Sequence, residues 1–339
     1  MKIVSSFDDR AFHNNIYFRS GDFHYQLEHC WAKWPEDVKG SDVLGAIFDA
    51  DDNLYVTTSC LEHPVCIFDA KGDFVRSIGK GVLIRPHSIV FTRRNTLLLP
   101  DSSPNMHLVR EIDMDGNVVR NFGNPFKPSD TGYDPDAFIN AKIRGTLPAE
   151  TPYDSELEFF MRTDSIARTA PPFNIPCGIG LTSKGEMFVA DGYGNAAVHK
   201  FDVEGNYVST FGKPGKGLGK FRLPHWLRVD KYDRIWVADR ENSRAYAFST
   251  DFDILCIVEG GFWRTACVWS DAKYIYLGEL RGGLSILDID SLEMVAQFGY
   301  FCCNIFNCHS LCGDSKGNLV ITSIIGSRPI GNLYRLRRL

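Results

Sequence analysis

The chain has 339 residues, 44% of them hydrophobic, with a formal charge of −5 and no basic run. That supplies a large core and disfavours a nucleic-acid or anionic-membrane surface. No apolar run reaches the roughly 18 residues of a membrane span, and MKIVSSFDDRAFHNN lacks the apolar stretch of a secretion signal; a cytoplasmic chain off the membrane is expected.

The first expected element is a strand in DFHYQLEHC (22–30), and a repeating unit begins after it. Its first copy, VLGAIFDADDNLYVTTS (43–59), runs on into VCIFDAKGDFVRSIG. The second, IRPHSIVFTRRNTLLLPDSS (84–103), opens around a Pro-His pair and runs on into HLVREIDMDGNVVRNFG. IPCGIGLTSKGEMFVADGYGN (175–195) and LPHWLRVDKYDRIWVADRENSR (223–244) repeat the pattern. TACVWSDAKYIYLGEL (265–280) is weaker, and NCHSLCGDSKGNLVITSI (307–324) precedes the terminal GNLYRLRRL. Each unit holds short alternating runs rich in Val, Ile, Phe and Tyr, with turn signals between them.

Six units of about 40 residues, each with four short strands, are the pattern of an all-β, six-bladed β-propeller filling residues 1–339. The sixth unit is one strand short, and an open sheet edge invites aggregation. Residues 22–30 are therefore expected to complete the last blade. One segment, 124–172, interrupts the repeat. Within it DSELEFFMRTDSIAR (154–168) reads as a helix capped by Asp154 or Ser155, with Leu157, Phe160 and Met161 on one face. A long insertion of this kind is read as a lid over one propeller face, with Phe160 or Tyr153 as an apolar wall.

The residue that opens each innermost strand faces the central channel. Across the units it is Leu44, His87, Cys177, His225, Ala266 and His309. Alternate blades of a six-fold ring lie about 120° apart, so the three histidines meet at the axis. Three imidazoles with a fourth position open are the ligand set of a catalytic metal. Zinc is the first expectation, although another divalent transition metal could use the same ligands. His63 and His199 fall near third strands, away from the axis.

The turns after the second strands share one face. They carry Asp101, Asp191, Asp239 and Glu279, read as turn chemistry, together with Tyr193, Arg240 and Arg281, which are not turn-forming types. A tyrosine becomes a general base where a cation lowers its pKa, and an arginine can clamp a carboxylate. The ten cysteines are expected to be free thiols; Cys302, Cys303, Cys308 and Cys312 do not have a standard zinc spacing, and Cys177 either touches substrate or fills the channel.

VADGYGNAAVHKFDVEGNYVSTFG, GKFRLPHWLRVD and VADRENSRAYAF, with the Pro-His units, resemble peptidyl-α-hydroxyglycine α-amidating lyase and its bacterial NHL-repeat relatives over most of residues 43–325. The resemblance implies zinc on His87, His225 and His309, Tyr193 as base, and Arg240 binding or orienting substrate. Two positions depart from it. The arginine that the family carries after the second strand of its first blade falls on Ser59 or Cys60. Ser310 replaces an aspartate that helps bind calcium in the secreted animal enzyme. A simple N-acyl-α-hydroxyglycine is accordingly expected to be a poor substrate.

The leading expectation is a metal-dependent lyase on a small, anionic, hydroxylated substrate, with Tyr193 removing a proton, a neighbouring C–N, C–O or C–S bond breaking, and Arg240 or Arg281 stabilising the leaving group. A hydrolase opening a lactone or amide at the same three histidines is the second reading, and a non-catalytic binding scaffold the third.

Overall fold

The computed structural model describes residues 16–38, 40–280, 282–299, 307–324 and 333–339. Six antiparallel sheets make a six-bladed β-propeller, as the repeat implies. Blade 2 shows how a unit folds. Its strands Leu97–Asp101 and Leu108–Ile112 are buried throughout, because neighbouring blades cover both faces; its outermost strand, Val118–Gly123, is largely exposed. The turn joining its last two strands is held by Asp113, whose Oδ1 accepts from the amides of Asp115 and Asn117, both at 2.9 Å. Gly116 lies in that turn at φ 89°, where a Cβ would sit 2.8 Å from the Gly79 nitrogen of blade 1.

Ring closure follows the expected route. Phe23–His29 pairs with the last strand, Leu333–Arg338, from Tyr25 opposite Arg338 to His29 opposite Tyr334. A further strand, Tyr17–Ser20, makes this a five-stranded blade. The chain's two ends thus share one sheet, which leaves the ring without a broken blade.

Between blades 2 and 3 the insertion carries two helices, α1 (Ala137–Ile143) and α2 (Ser155–Asp164). Asp154 caps α2, accepting from the amides of Glu156 at 2.8 Å and Leu157 at 2.9 Å. Helix α2 is tied to blade 4 by a two-pronged Arg222–Asp164 pair (2.8 and 2.7 Å) and to the start of blade 5 by Arg264–Glu156 (3.3 Å). No helix among the described residues is long and apolar enough to cross a membrane.

Candidate metal centre

The innermost strands converge, so one residue from each blade defines a level of the channel. At the upper level His87, His225 and His309 are fully buried, with ring centroids 4.7–4.9 Å apart in all three pairs. Their ligand atoms all lie within 4.8 Å of one another. Leu44, Cys177 and Ala266 sit between them in the ring and add no charge.

Each imidazole is oriented by the backbone of the next blade. The Nδ1–H groups donate to carbonyls: His87 to Cys177 at 3.0 Å, His225 to Ala266 at 2.6 Å, His309 to Leu44 at 2.9 Å. This fixes the proton on Nδ1 and turns the Nε2 lone pair toward the axis, the second-sphere arrangement typical of metal-bound histidine. Burial, helped by the neighbouring histidines and by Arg85 and Arg240, holds His87 and His225 well below the usual imidazole range. Burial brings His309 down to about 3. All three are neutral at physiological pH.

Tyr193 reaches over this layer from the turn after the second strand of blade 3. Its hydroxyl lies 3.1 Å from His87 Nε2 and 3.0 Å from His225 Nε2. One phenol proton serves one lone pair. The other acceptor, and His309 Nε2, which has no partner among the described residues, are left buried without a donor. Three convergent imidazole acceptors with one proton between them fit a divalent transition metal by donor chemistry.

Arg240 closes the side of the site. It is buried, its Nη1 lies 3.5 Å from the Tyr193 hydroxyl, and its Nε pairs with Glu241 at 2.7 Å; Arg264 shares Glu241 at 2.8 Å. Its guanidinium lies between rings, 5.6 Å from Tyr193 and 5.2 Å from Phe159 of α2. The insertion therefore does bring an aromatic side chain to the site, but a different one from those expected. Phe160 packs on Arg222 and Arg264, and Tyr153 is exposed and bonded to Glu158. For the Tyr193 phenol, burial outweighs Arg240 and raises the pKa, so one arginine alone does not make a phenolate here.

The acidic residues do more than shape their own turns. Asp101 accepts from the Ile84 amide at 3.0 Å, Asp191 from Asn174 at 2.8 Å, Asp239 from Arg222 at 2.8 Å and Glu279 from Trp263 at 2.6 Å. Each donor stands three residues before the channel residue of its own blade. The carboxylates clamp the chain as it turns into the innermost strand, and so set the height of His87 and His225.

Other expectations resolve locally. Cys177 is buried, with its thiol on the Ala190 and Pro224 carbonyls, and burial pushes it up to about 12; it fills the ring. Cys308 lies 3.5 Å from Cys267, sulfur to sulfur, and both are free, as are all the described cysteines. His63 bonds Ser77 and Asp37 at the periphery, and His199 packs against Asp191 and Thr210. Arg281, Cys302 and Cys303 lie outside the described residues.

Three contributors escaped the sequence reading. Arg85, two residues before His87, pairs with Asp42 at 2.8 Å, beside the Ser59 hydroxyl that accepts from the Asp42 amide at 2.9 Å. Its charge is felt at His87, His309 and Tyr193. Phe159 is one residue from the expected wall. Trp226 underlies all three imidazoles, at 5.8, 6.1 and 6.3 Å between centroids. The His-Trp dipeptide was the available signal for Trp226.

Fold and channel define a six-bladed β-propeller with a histidine layer suited to a metal. Comparison with known proteins adds relatives. The chain is 22% identical to human NHL repeat-containing protein 3 over 95% of this chain and 87% of that protein. It is 26% identical to the mouse protein of the same name over 74% of this chain, a match spanning 64% of the mouse protein's length. Rat peptidylglycine alpha-amidating monooxygenase is 40% identical over 74 residues, 20% of this chain and 8% of that one. No family model matches. Among solved structures, a catalytically inactive virginiamycin B lyase from Staphylococcus aureus with quinupristin superposes with a TM-score of 0.59 at 10% identity, covering 93% of this chain and 100% of that one. A gluconolactonase from Xanthomonas campestris also gives 0.59 at 10% identity, covering 94% and 92%. At that identity the likeness is one of fold.

Proposed function

We propose that this chain is a metal-dependent lyase acting on a small hydroxylated anion, with zinc held by His87, His225 and His309. The observation that carries the reading is the set of three buried Nε2 acceptors facing one another with a single phenol proton among them. A divalent metal in that layer supplies Lewis-acid stabilisation of negative charge on a substrate oxygen. With a metal's charge added to that of Arg240, 3.5 Å away, Tyr193 would first give up its phenol proton to solvent and then, as phenolate, accept the substrate's hydroxyl proton at Oη. The electron pair of the departing O–H bond forms the carbonyl, and the neighbouring C–N, C–O or C–S bond breaks with its pair going to the leaving group. Arg240 and Arg85 provide the positive field for an anionic substrate. Trp226 below and Phe159 at the side keep the compartment poor in water. The local similarity to an amidating monooxygenase supports the same reading.

The test is turnover by metal-loaded protein in oxygen-18 water, against small carboxylated α-hydroxy compounds, α-hydroxyhippurate and lactones. The expected result is a carbonyl product from a carboxylated hydroxy compound, with α-hydroxyhippurate slow because Ser59 and Cys60 leave the first blade's turn without a cation. Solvent oxygen built into a carboxylate product would make the site a hydrolase. No turnover of any member of the panel would leave a binding scaffold.

A further inference from the structure

Below the histidine layer the channel continues as a second compartment. It is a cavity of about 50 Å3 lined by the innermost strands of all six blades, among them Ser88, Trp226, Arg228, Trp269 and Cys312. Trp226 is its roof and the floor of the histidine layer.

The single charged residue of its lining is Arg228. The Arg228 guanidinium reaches only the hydroxyl and carbonyl of Ser270, both at a long 3.4 Å, and among the described residues no carboxylate lies within ion-pair distance of it. The nearest acid in sequence, Asp230, is taken: its carboxylate accepts from Arg234 Nε at 2.6 Å, Trp236 Nε1 at 2.9 Å and the amides of Tyr232 and Arg234. Ser88 spends its hydroxyl proton on the Cys177 carbonyl at 2.7 Å. Neither the Trp226 nor the Trp269 indole N–H meets an acceptor among the described residues. The Cys312 thiol is neutral, since burial drives its pKa up.

A half-buried guanidinium that lines a small cavity without a counter-charge offers charge-assisted hydrogen bonds to a small anion. We infer that the lower channel is a binding site for a small inorganic monoanion of the halide class, held by Arg228 beneath the Trp226 floor. A cavity of about 50 Å3 with a single cationic group suits a small monoanion such as a halide. The site is independent of the metal and of the reaction proposed above.

Burial lowers the Arg228 pKa; a bound anion acts in the direction that restores the charge. The experiment uses full-length protein in two measurements. Crystals soaked in sodium bromide are examined for anomalous density in the lower channel. Thermal melts replace sodium gluconate with sodium bromide at constant ionic strength, for wild type, Arg228→Met and Arg228→Lys. Bromide density beside the guanidinium is expected, with a wild-type Tm that rises saturably. Arg228→Met should weaken the bromide midpoint by at least about tenfold, as loss of the single charge partner does, and Arg228→Lys should keep a response. If Arg228→Met does not fold, the wild-type density and the lysine variant decide. An empty or water-filled lower channel, or the same bromide response in wild type and Arg228→Met, would overturn the assignment.

Discussion

The upper level of the channel, at His87, His225 and His309, presents lone pairs, while the lower level, at Arg228, presents N–H groups. The two are separated by one indole, Trp226, and the innermost strand of blade 4, Pro224–Val229, contributes to both through His225 and Arg228. The difference shows how a propeller sets chemistry along its axis. Each level receives one contribution per blade, so a single substitution in one strand changes a sixth of the ring. Leu44, Cys177 and Ala266 keep the upper level free of charge between the histidines. One arginine is enough to set the sign of the lower level. The two proposals together put a cation site over an anion pocket, and the partition between them is the first thing to break.

Removing the partition has the largest expected effect on the fold. Trp226 is buried against the imidazoles and the blade 4–5 core, so Trp226→Ala should lower unfolding stability by about 3–5 kcal/mol, measured by urea denaturation of the metal-free protein. A loss well under 1 kcal/mol would mean that the indole is not a packed floor. Next is the upper level's proton. Tyr193→Phe removes the hydroxyl and leaves the three nitrogens in place; it should keep the metal and lower kcat at least about 100-fold, or ~2.7 kcal/mol. Unchanged turnover would move Tyr193 to the rim.

The acid side sharpens the contrast further. A histidine whose folded pKa is depressed gains its proton first in the unfolded chain, so its stabilising contribution is complete above about pH 6.5 and is lost as pH falls toward the folded value. With His309 at about 3, the metal-free protein should lose roughly 2 kcal/mol from that imidazole between pH 6.5 and 5. The readout is the difference in acid response between wild type and His309→Gln in urea melts; identical profiles would contradict it. The smallest effect belongs to an intervening blade. Cys177→Ala should cost ~1 kcal/mol of stability and leave metal binding and turnover essentially intact, because the thiol meets only backbone carbonyls.

What the sequence disclosed follows the same division. The blades, the closing strand and the alternating histidines were legible because each unit repeats a position in register, and a repeat turns spacing into geometry. The roles of Asp101, Asp191, Asp239 and Glu279 were half legible: their positions recur, but the amides they hold belong to another part of the blade. Where the repeat stops, side-chain direction stops being readable. Helix α2 fell within its expected span, yet Phe159, not Phe160, meets Arg240, because docking through Arg222–Asp164 and Arg264–Glu156 sets the rotation of the helix. Arg228 lies in a repeat unit, but no sequence signal singles it out. Only the convergence of six strands shows that it faces a cavity.

The central claim is that three imidazoles on alternate blades hold one metal ion. The direct measurement is metal content per chain, by elemental analysis after loading with zinc and removing excess, for wild type and for His87→Ala, His225→Ala and His309→Ala. The account predicts close to one equivalent in wild type and little in each variant, with near-native far-ultraviolet circular dichroism throughout. Full occupancy in all three variants, or none in the loaded wild type, would contradict it.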